Sequence, residues 1–81
     1  QGIEITVRMD KSLEFLALDF FGEENIKKTT DNLYITFHSE YPSWVITTFA
    51  SLGEKAEIIS PDSLRTELKD FLKNALSQYE I

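Results

Sequence analysis

The fold is decided by one alternating stretch, NLYITFH at residues 32–38. Successive side chains of a β-strand point to opposite faces, so this stretch places apolar residues on one face and a mixed polar and aromatic set on the other. The apolar set is Leu33, Ile35 and Phe37, and the mixed set is Tyr34, Thr36 and His38. The stretch is therefore predicted to be a central strand of a sheet with one buried face.

Three further strands are predicted around it. Apolar and polar residues alternate over residues 3–8, which indicates a first strand with one buried face. Residues 24–29 are mostly polar and precede a turn-like cluster at residues 30–32, so they are predicted to form a polar edge strand. A short apolar run at residues 56–59 is predicted to be the last strand.

Two amphipathic helices are predicted between these strands. For the first, Asp10 supplies an N-cap carboxylate and Gly22 a left-handed exit. Its apolar stripe is Leu13, Leu16, Ala17 and Phe20. Residues 43–52 contain a β-branched run that would suit a strand, but Pro42 at the start and Gly53 at the exit favour a second helix. Its stripe is Val45, Phe49 and Leu52, flanked by Trp44.

A third helix has the clearest periodicity in the chain. Ser60 is predicted to cap it, with Pro61 in its first turn and Asp62 near the positive end of its dipole. Its apolar stripe is Leu64, Leu68, Phe71, Leu72, Ala75, Leu76 and Tyr79. A stripe of this size does not stay in water, so we expect the helix to cover the open sheet face, to extend the helical layer, or to dock onto another chain.

This order of elements predicts an α+β fold, a ferredoxin-like βαββαβ sandwich with an additional C-terminal helix. Both inner helices would lie on one sheet face and leave the other open. At 81 residues the chain has apolar area for one core, so residues 1–81 are expected to be one domain. Because a strand pattern begins within two residues of Gln1, we expect the domain to be part of a longer protein.

Composition restricts the partners. The net charge of −6 disfavours direct binding to duplex DNA. The absence of cysteine excludes disulfides and thiolate metal sites and is typical of the cytoplasm, where we expect the protein to reside. The longest apolar run covers residues 15–18, which is too short to span a membrane.

The sequence contains no recognisable catalytic or metal-binding motif. His38 is the only histidine, and neither HExxH, GxSxG nor a phosphate-binding glycine pattern occurs. No cofactor is predicted, and an enzyme is the least favoured class. Trp44 and Phe49 have helical spacing, so we predict that they belong to the core and not to a ligand cage.

The open sheet face is the candidate binding surface. It would bear Arg8, Tyr34, Thr36 and His38. Aromatic and polar residues on a sheet suit single-stranded RNA, but the Lys/Arg-Gly-aromatic-Gly run of such readers is missing and the net charge is unfavourable. This surface is therefore predicted to be an interface or effector surface.

The second half of the chain resembles a known family. Its characteristic elements are Trp44, Phe49, LG at 52–53, AEII at 56–59, Pro61, LR at 64–65 and Tyr79. This pattern is similar to the WCX domain, the C-terminal extension that follows the WYL domain in bacterial helix-turn-helix transcription factors. Arg65 matches the Leu-Arg element of the family, so it is either functional or paired with Asp62 three residues earlier.

The resemblance implies a regulatory and dimerising domain. It implies a homodimer, upstream WYL and helix-turn-helix domains in the same chain, DNA contact only through those domains, and a nucleic-acid or small-molecule effector. The alternative is a stand-alone, ACT-like domain that senses small ligands. Such sensors favour glycine in the loop between the first strand and first helix, and MDKS at residues 9–12 has none.

Overall fold

The computed structural model describes residues 2–80, which form an α+β fold of four strands and three helices. In chain order the elements are β1 (Ile3–Asp10), α1 (Glu14–Phe21), β2 (Ile26–Lys28), β3 (Asn32–Ser39), α2 (Pro42–Ser51), β4 (Ala56–Ser60) and α3 (Asp62–Ser77). Short 3₁₀ turns precede α1, β2 and β4. The predicted α+β class and the C-terminal helix are confirmed.

The four strands form one antiparallel sheet in the order β2-β3-β1-β4. β1 and β3 pair along their full length, from Ile3 opposite Ser39 to Asp10 opposite Asn32. β3 is central and β2 lies at an edge, as predicted. β2 has only three residues, because the chain before it forms a 3₁₀ turn in which the Asn25 side-chain amide donates to the Phe21 carbonyl at 2.6 Å.

The core lies on one face of this sheet, between the strands and the helices. In β1 and β3 the buried residues alternate with more exposed ones, which follows the alternation of apolar and polar residues in the sequence. The buried apolar residues are Ile5, Val7, Met9, Ala17, Leu33, Ile35, Val45, Ile46, Phe49, Ile58, Leu64 and Leu68.

The start and end of the first helical segment agree with the prediction. The Asp10 carboxylate accepts a hydrogen bond from the Ser12 N–H at 2.9 Å, and Gly22 ends α1 with φ of 78°. The predicted apolar stripe is confirmed at Leu13, Leu16 and Ala17 and is wrong at Phe20, which is 46% exposed while Phe21 packs against the core. Phe21 follows Ala17 by four residues, about 40° around α1, and therefore continues the buried face in place of Phe20.

The second helix is confirmed as α2, with Pro42 in its first turn. Phe49 is a core residue, as predicted. Trp44 is not, since it is 43% exposed. Val45, Ile46 and Phe49 define the buried face of α2, and Trp44 lies about 100° around the helix from Val45, on the side away from Ile46.

The third helix extends the helical layer. α3 packs against α2 and β4, and it contributes Leu64 and Leu68 to the core. Every residue of α3 from position 69 onward is exposed. The predicted serine cap is wrong, because Ser60 is still in β4, opposite Thr6, and Pro61 occupies the N-cap position without a side-chain cap.

Truncating a core aromatic residue is predicted to be far more costly than truncating an exposed one. Phe49→Ala removes a side chain that is 2% exposed, so we expect it to lower the free energy of unfolding by about 3 to 5 kcal/mol. Phe15→Ala, at a position that is 84% exposed, is the matched control and should change it by less than about 0.5 kcal/mol. Urea unfolding followed by circular dichroism measures both, and equal losses would contradict this core.

Candidate functional site

Four of the five predicted site residues lie together on the sheet face opposite the core. In the β1–β3 register, Arg8 is opposite Tyr34 and Thr6 is opposite Thr36, whose hydroxyl oxygens are 3.1 Å apart. His38 lies on the same face, opposite Glu4. The pleat thus places Arg8, Tyr34, Thr36 and His38 on one surface, which we call the open face.

The fifth predicted residue, Arg65, reaches this surface from α3. Its Nη1 donates to Glu57 Oε2 at 2.6 Å and to the Ile58 carbonyl at 2.9 Å. Arg8 Nε donates to the other oxygen of the same carboxylate at 3.3 Å, and Arg8 Nη1 donates to Asn32 Oδ1 at 2.9 Å. The predicted pairing of Arg65 with Asp62 is replaced by the Glu57 pair, because α3 packs along β4 and brings Arg65 beside that strand.

Two guanidinium groups therefore share one carboxylate. Hydrogen bonds from Arg65 and then from Arg8 hold the pKa of Glu57 below its usual value, so Glu57 is ionised at neutral pH. The three charges sum to one positive charge on a domain of net charge −6. Because the Arg8 side chain keeps 23% of its surface exposed, an incoming carboxylate or phosphate group can still reach it.

Sequence reasoning missed Glu57 as a site residue. The alternation of residues 56–59 does place Glu57 on the face opposite Ile58, but the sequence does not say which strand lies beside it. The pairing of Arg8 with Glu57 requires the β1–β4 register, which contains an irregularity between Thr6 and Val7.

An aromatic groove opens next to the open face, at the end of β2. It has a volume of about 790 Å³ and is bounded by the edge of β3 and by Phe20 and Trp44 from the helices. These two rings meet edge to face with centroids 5.8 Å apart. Tyr34, Thr36 and His38 also line the groove, whereas Arg8 and Arg65 do not.

A second groove, of about 430 Å³, lies between β4 and α3. Its walls are mainly apolar, with Ile58, Leu68, Leu72 and Leu76. Arg65, Lys69 and Lys73 follow each other at intervals of four residues along its rim. This is one face of a helix, so the groove combines an apolar floor with a cationic border.

Within residues 2–80 no group of three or more His, Asp or Glu side chains is placed to hold a metal ion. None of the helices formed by these residues combines the length and apolar character that crossing a membrane requires.

Comparison with protein families identifies the chain. The family model of the WCX domain matches residues 1–76. The chain therefore belongs to the WCX domain family, a family of regulatory domains. The match includes the first half of the chain, whereas the resemblance in the sequence rests on residues 44–79, and it ends before Tyr79. Comparison with curated proteins gave no match.

The Arg8–Glu57–Arg65 network predicts a pH-dependent contribution to stability. The folded pKa of Glu57 is lowered, so its contribution is present above the unfolded pKa of about 4.3 and is lost as the pH falls through the folded value. We expect Glu57→Gln to cost about 1 kcal/mol at pH 7, since the partners are partly exposed, and almost nothing at pH 2 to 3.

Urea unfolding across pH 2 to 8 measures this difference. Glu67→Gln, an exposed acid of α3 outside the network, is the control and should show no comparable loss at pH 7. A Glu57→Gln penalty that is the same at both ends of the pH range would contradict the assignment.

Proposed function

We propose that this chain is the C-terminal regulatory domain of a WYL-type transcriptional regulator, that it takes part in homodimerisation, and that it couples effector binding to DNA binding by an upstream helix-turn-helix domain. The observation that carries this proposal is the WCX family match over residues 1–76. The domain acts as a non-catalytic module of a cytoplasmic protein.

The topology supports a ferredoxin-like fold for this module. The order β2-β3-β1-β4, with α1 between β1 and β2 and α2 between β3 and β4, corresponds to two βαβ units whose strands interleave. The charge supports DNA contact through a different domain. A domain of net charge −6 is repelled by phosphate backbones, so the upstream domain makes the DNA contact.

The exposed part of α3 supports contact with the rest of the regulator. From residue 69 onward the helix has no buried residue, although it carries Phe71, Leu72 and Leu76. A short helix without tertiary packing is only marginally stable in water. In the intact regulator the apolar side of these turns packs against an upstream domain, and the cationic rim at Lys69 and Lys73 favours an acidic surface there.

The loop between β1 and α1 argues against the stand-alone ligand sensor. Its polar groups are already used within the domain: the Asp10 carboxylate caps the Ser12 N–H, and the Lys11 N–H donates to the Asp31 carbonyl at 3.2 Å. A ligand at this loop would have to compete with both bonds.

Deleting the domain from the intact regulator tests the function. We expect the variant without residues 1–81 to retain a folded DNA-binding domain, and to lose both dimerisation and the effector-dependent change in operator affinity. Sedimentation and operator binding with and without effector provide the readouts. If the truncated protein stays dimeric and still responds to the effector, the proposed function is wrong.

Substitutions on α3 test its docking role separately. We expect Leu72→Glu/Leu76→Glu in the intact regulator to reduce the effector response at least tenfold, because each places a carboxylate in an apolar contact. Asn74→Glu/Ser77→Glu adds the same charge to another side of the same exposed turns and should leave the response within about twofold of the unchanged protein. Equal effects of the two pairs would argue against docking through the leucine face.

A further inference from the structure

One edge of the sheet is only partly occupied. β3 spans eight residues, Asn32–Ser39, but β2 pairs only with Leu33, Tyr34 and Ile35. Within residues 2–80, residues 36–39 therefore have a strand partner on the β1 side and none on the β2 side. We call residues 36–39 the free edge.

The hydrogen-bonding groups of this edge follow from the ladder. On the β2 side, the Thr29 N–H donates to the Asn32 carbonyl at 2.8 Å. Backbone groups in an antiparallel ladder alternate, so every second residue from Asn32 turns its N–H and C=O toward this side. Thr36 and His38 consequently present their N–H and C=O groups at the free edge, without a strand to receive them.

The free edge lacks most of the features by which proteins block strand pairing, although the 3₁₀ turn Glu23–Asn25 packs against β3 and shares its groove. Such features are edge lysines, prolines, bulges, or a covering helix or side chain. β2 carries Lys27 and Lys28, and the β4 edge is covered by Arg65, which bonds the Ile58 carbonyl. The free edge is Thr36, Phe37, His38 and Ser39, with neither a proline nor a lysine.

We propose that a second copy of this chain pairs with the free edge, so that β3 and its symmetry mate run antiparallel and join two sheets into one of eight strands. This interface is isologous, since each copy offers the same donors and acceptors to the other. The four edge residues include no Asp or Glu, so the strand pairing itself brings no carboxylates together, and Glu24 and Lys27 line the adjoining groove as charges of opposite sign. The proposal deepens the proposed function, from which it takes the homodimer.

The exposed aromatic residues beside the edge supply the apolar part of this interface. Phe20 and Trp44 border the free edge on the helix side of the sheet and are nearly half exposed. In the paired sheet the two grooves face each other across the symmetry axis, and these rings pack against their counterparts. Aromatic residues of this kind are enriched at interfaces.

Cross-linking tests the geometry, because the chain has no cysteine of its own. Positions 38 of the two copies would lie on adjacent strands, about 5 Å apart laterally, whereas positions 4 would be separated by three strand spacings, about 14 Å. We expect a short bismaleimide to convert His38→Cys, but not the control Glu4→Cys, into a covalent dimer. Failure of His38→Cys to cross-link at a concentration where the chain is dimeric would overturn the proposal.

Sedimentation equilibrium of the 81-residue chain tests the energetics. The unchanged chain should dimerise, and Thr36→Lys/His38→Lys should raise the dissociation constant at least tenfold by placing like charges opposite one another. Glu4→Lys makes the same change of two charge units on the same face, one strand further in, and should change it less than threefold. Circular dichroism verifies that each variant is folded.

The outcomes separate this proposal from the proposed function. A chain that is monomeric up to about 100 μM, or a dimer that the edge lysines leave intact, overturns pairing through β3. If the intact regulator nevertheless loses its dimer on removal of residues 1–81, the regulatory function stands and another surface, such as α3, joins the copies.

Discussion

The rest of the structure depends on the eight-residue pairing of β1 with β3. This register fixes the pleat of both central strands, so that Ile5, Val7, Leu33 and Ile35 enter the core together. A shift of β1 by one residue against β3 would turn Ile5 and Val7 outward and bring Thr6 and Arg8 into the core. The same register creates the open face, since it sets Arg8 beside Tyr34 and Thr6 beside Thr36. The β1–β3 register therefore determines both the core and the open face.

The edges of this sheet differ in how they are closed. On one side, α3 follows β4 directly and carries Arg65 back onto the strand, where the guanidinium covers an outward carbonyl and joins Glu57 to Arg8. On the other side, the chain forms a 3₁₀ turn at Glu23–Asn25, so β2 begins only at Ile26 and pairs with only part of β3. One edge is therefore closed by a side chain and a helix, and the other is left available for another strand.

The sequence predicts the class of fold, the order of its elements and the face on which four of the five site residues lie. These features follow from the spacing of apolar residues, which repeats every two residues in strands and every 3.6 in helices. It does not predict what depends on exact phase or register. The helical spacing predicts Phe20 and Trp44 in the core, yet their angular positions on α1 and α2 leave both exposed. The sequence does not predict that Glu57 pairs with Arg8 and Arg65, because this contact depends on β4 lying beside β1. The length of β2 likewise follows from a side-chain bond of Asn25 that no periodicity reveals.

The central claim is that the free edge of β3 is the place where this regulatory domain meets its own copy. Amide hydrogen exchange at Thr36 and His38 tests it most directly, because their N–H groups are hydrogen-bonded only if another strand is present. The account predicts that both amides exchange rapidly in dilute solution and become protected as the chain concentration rises, while those of Ile35 and Phe37, which bond to β1, are protected throughout. Rapid exchange of Thr36 and His38 at concentrations where the chain is dimeric would contradict it.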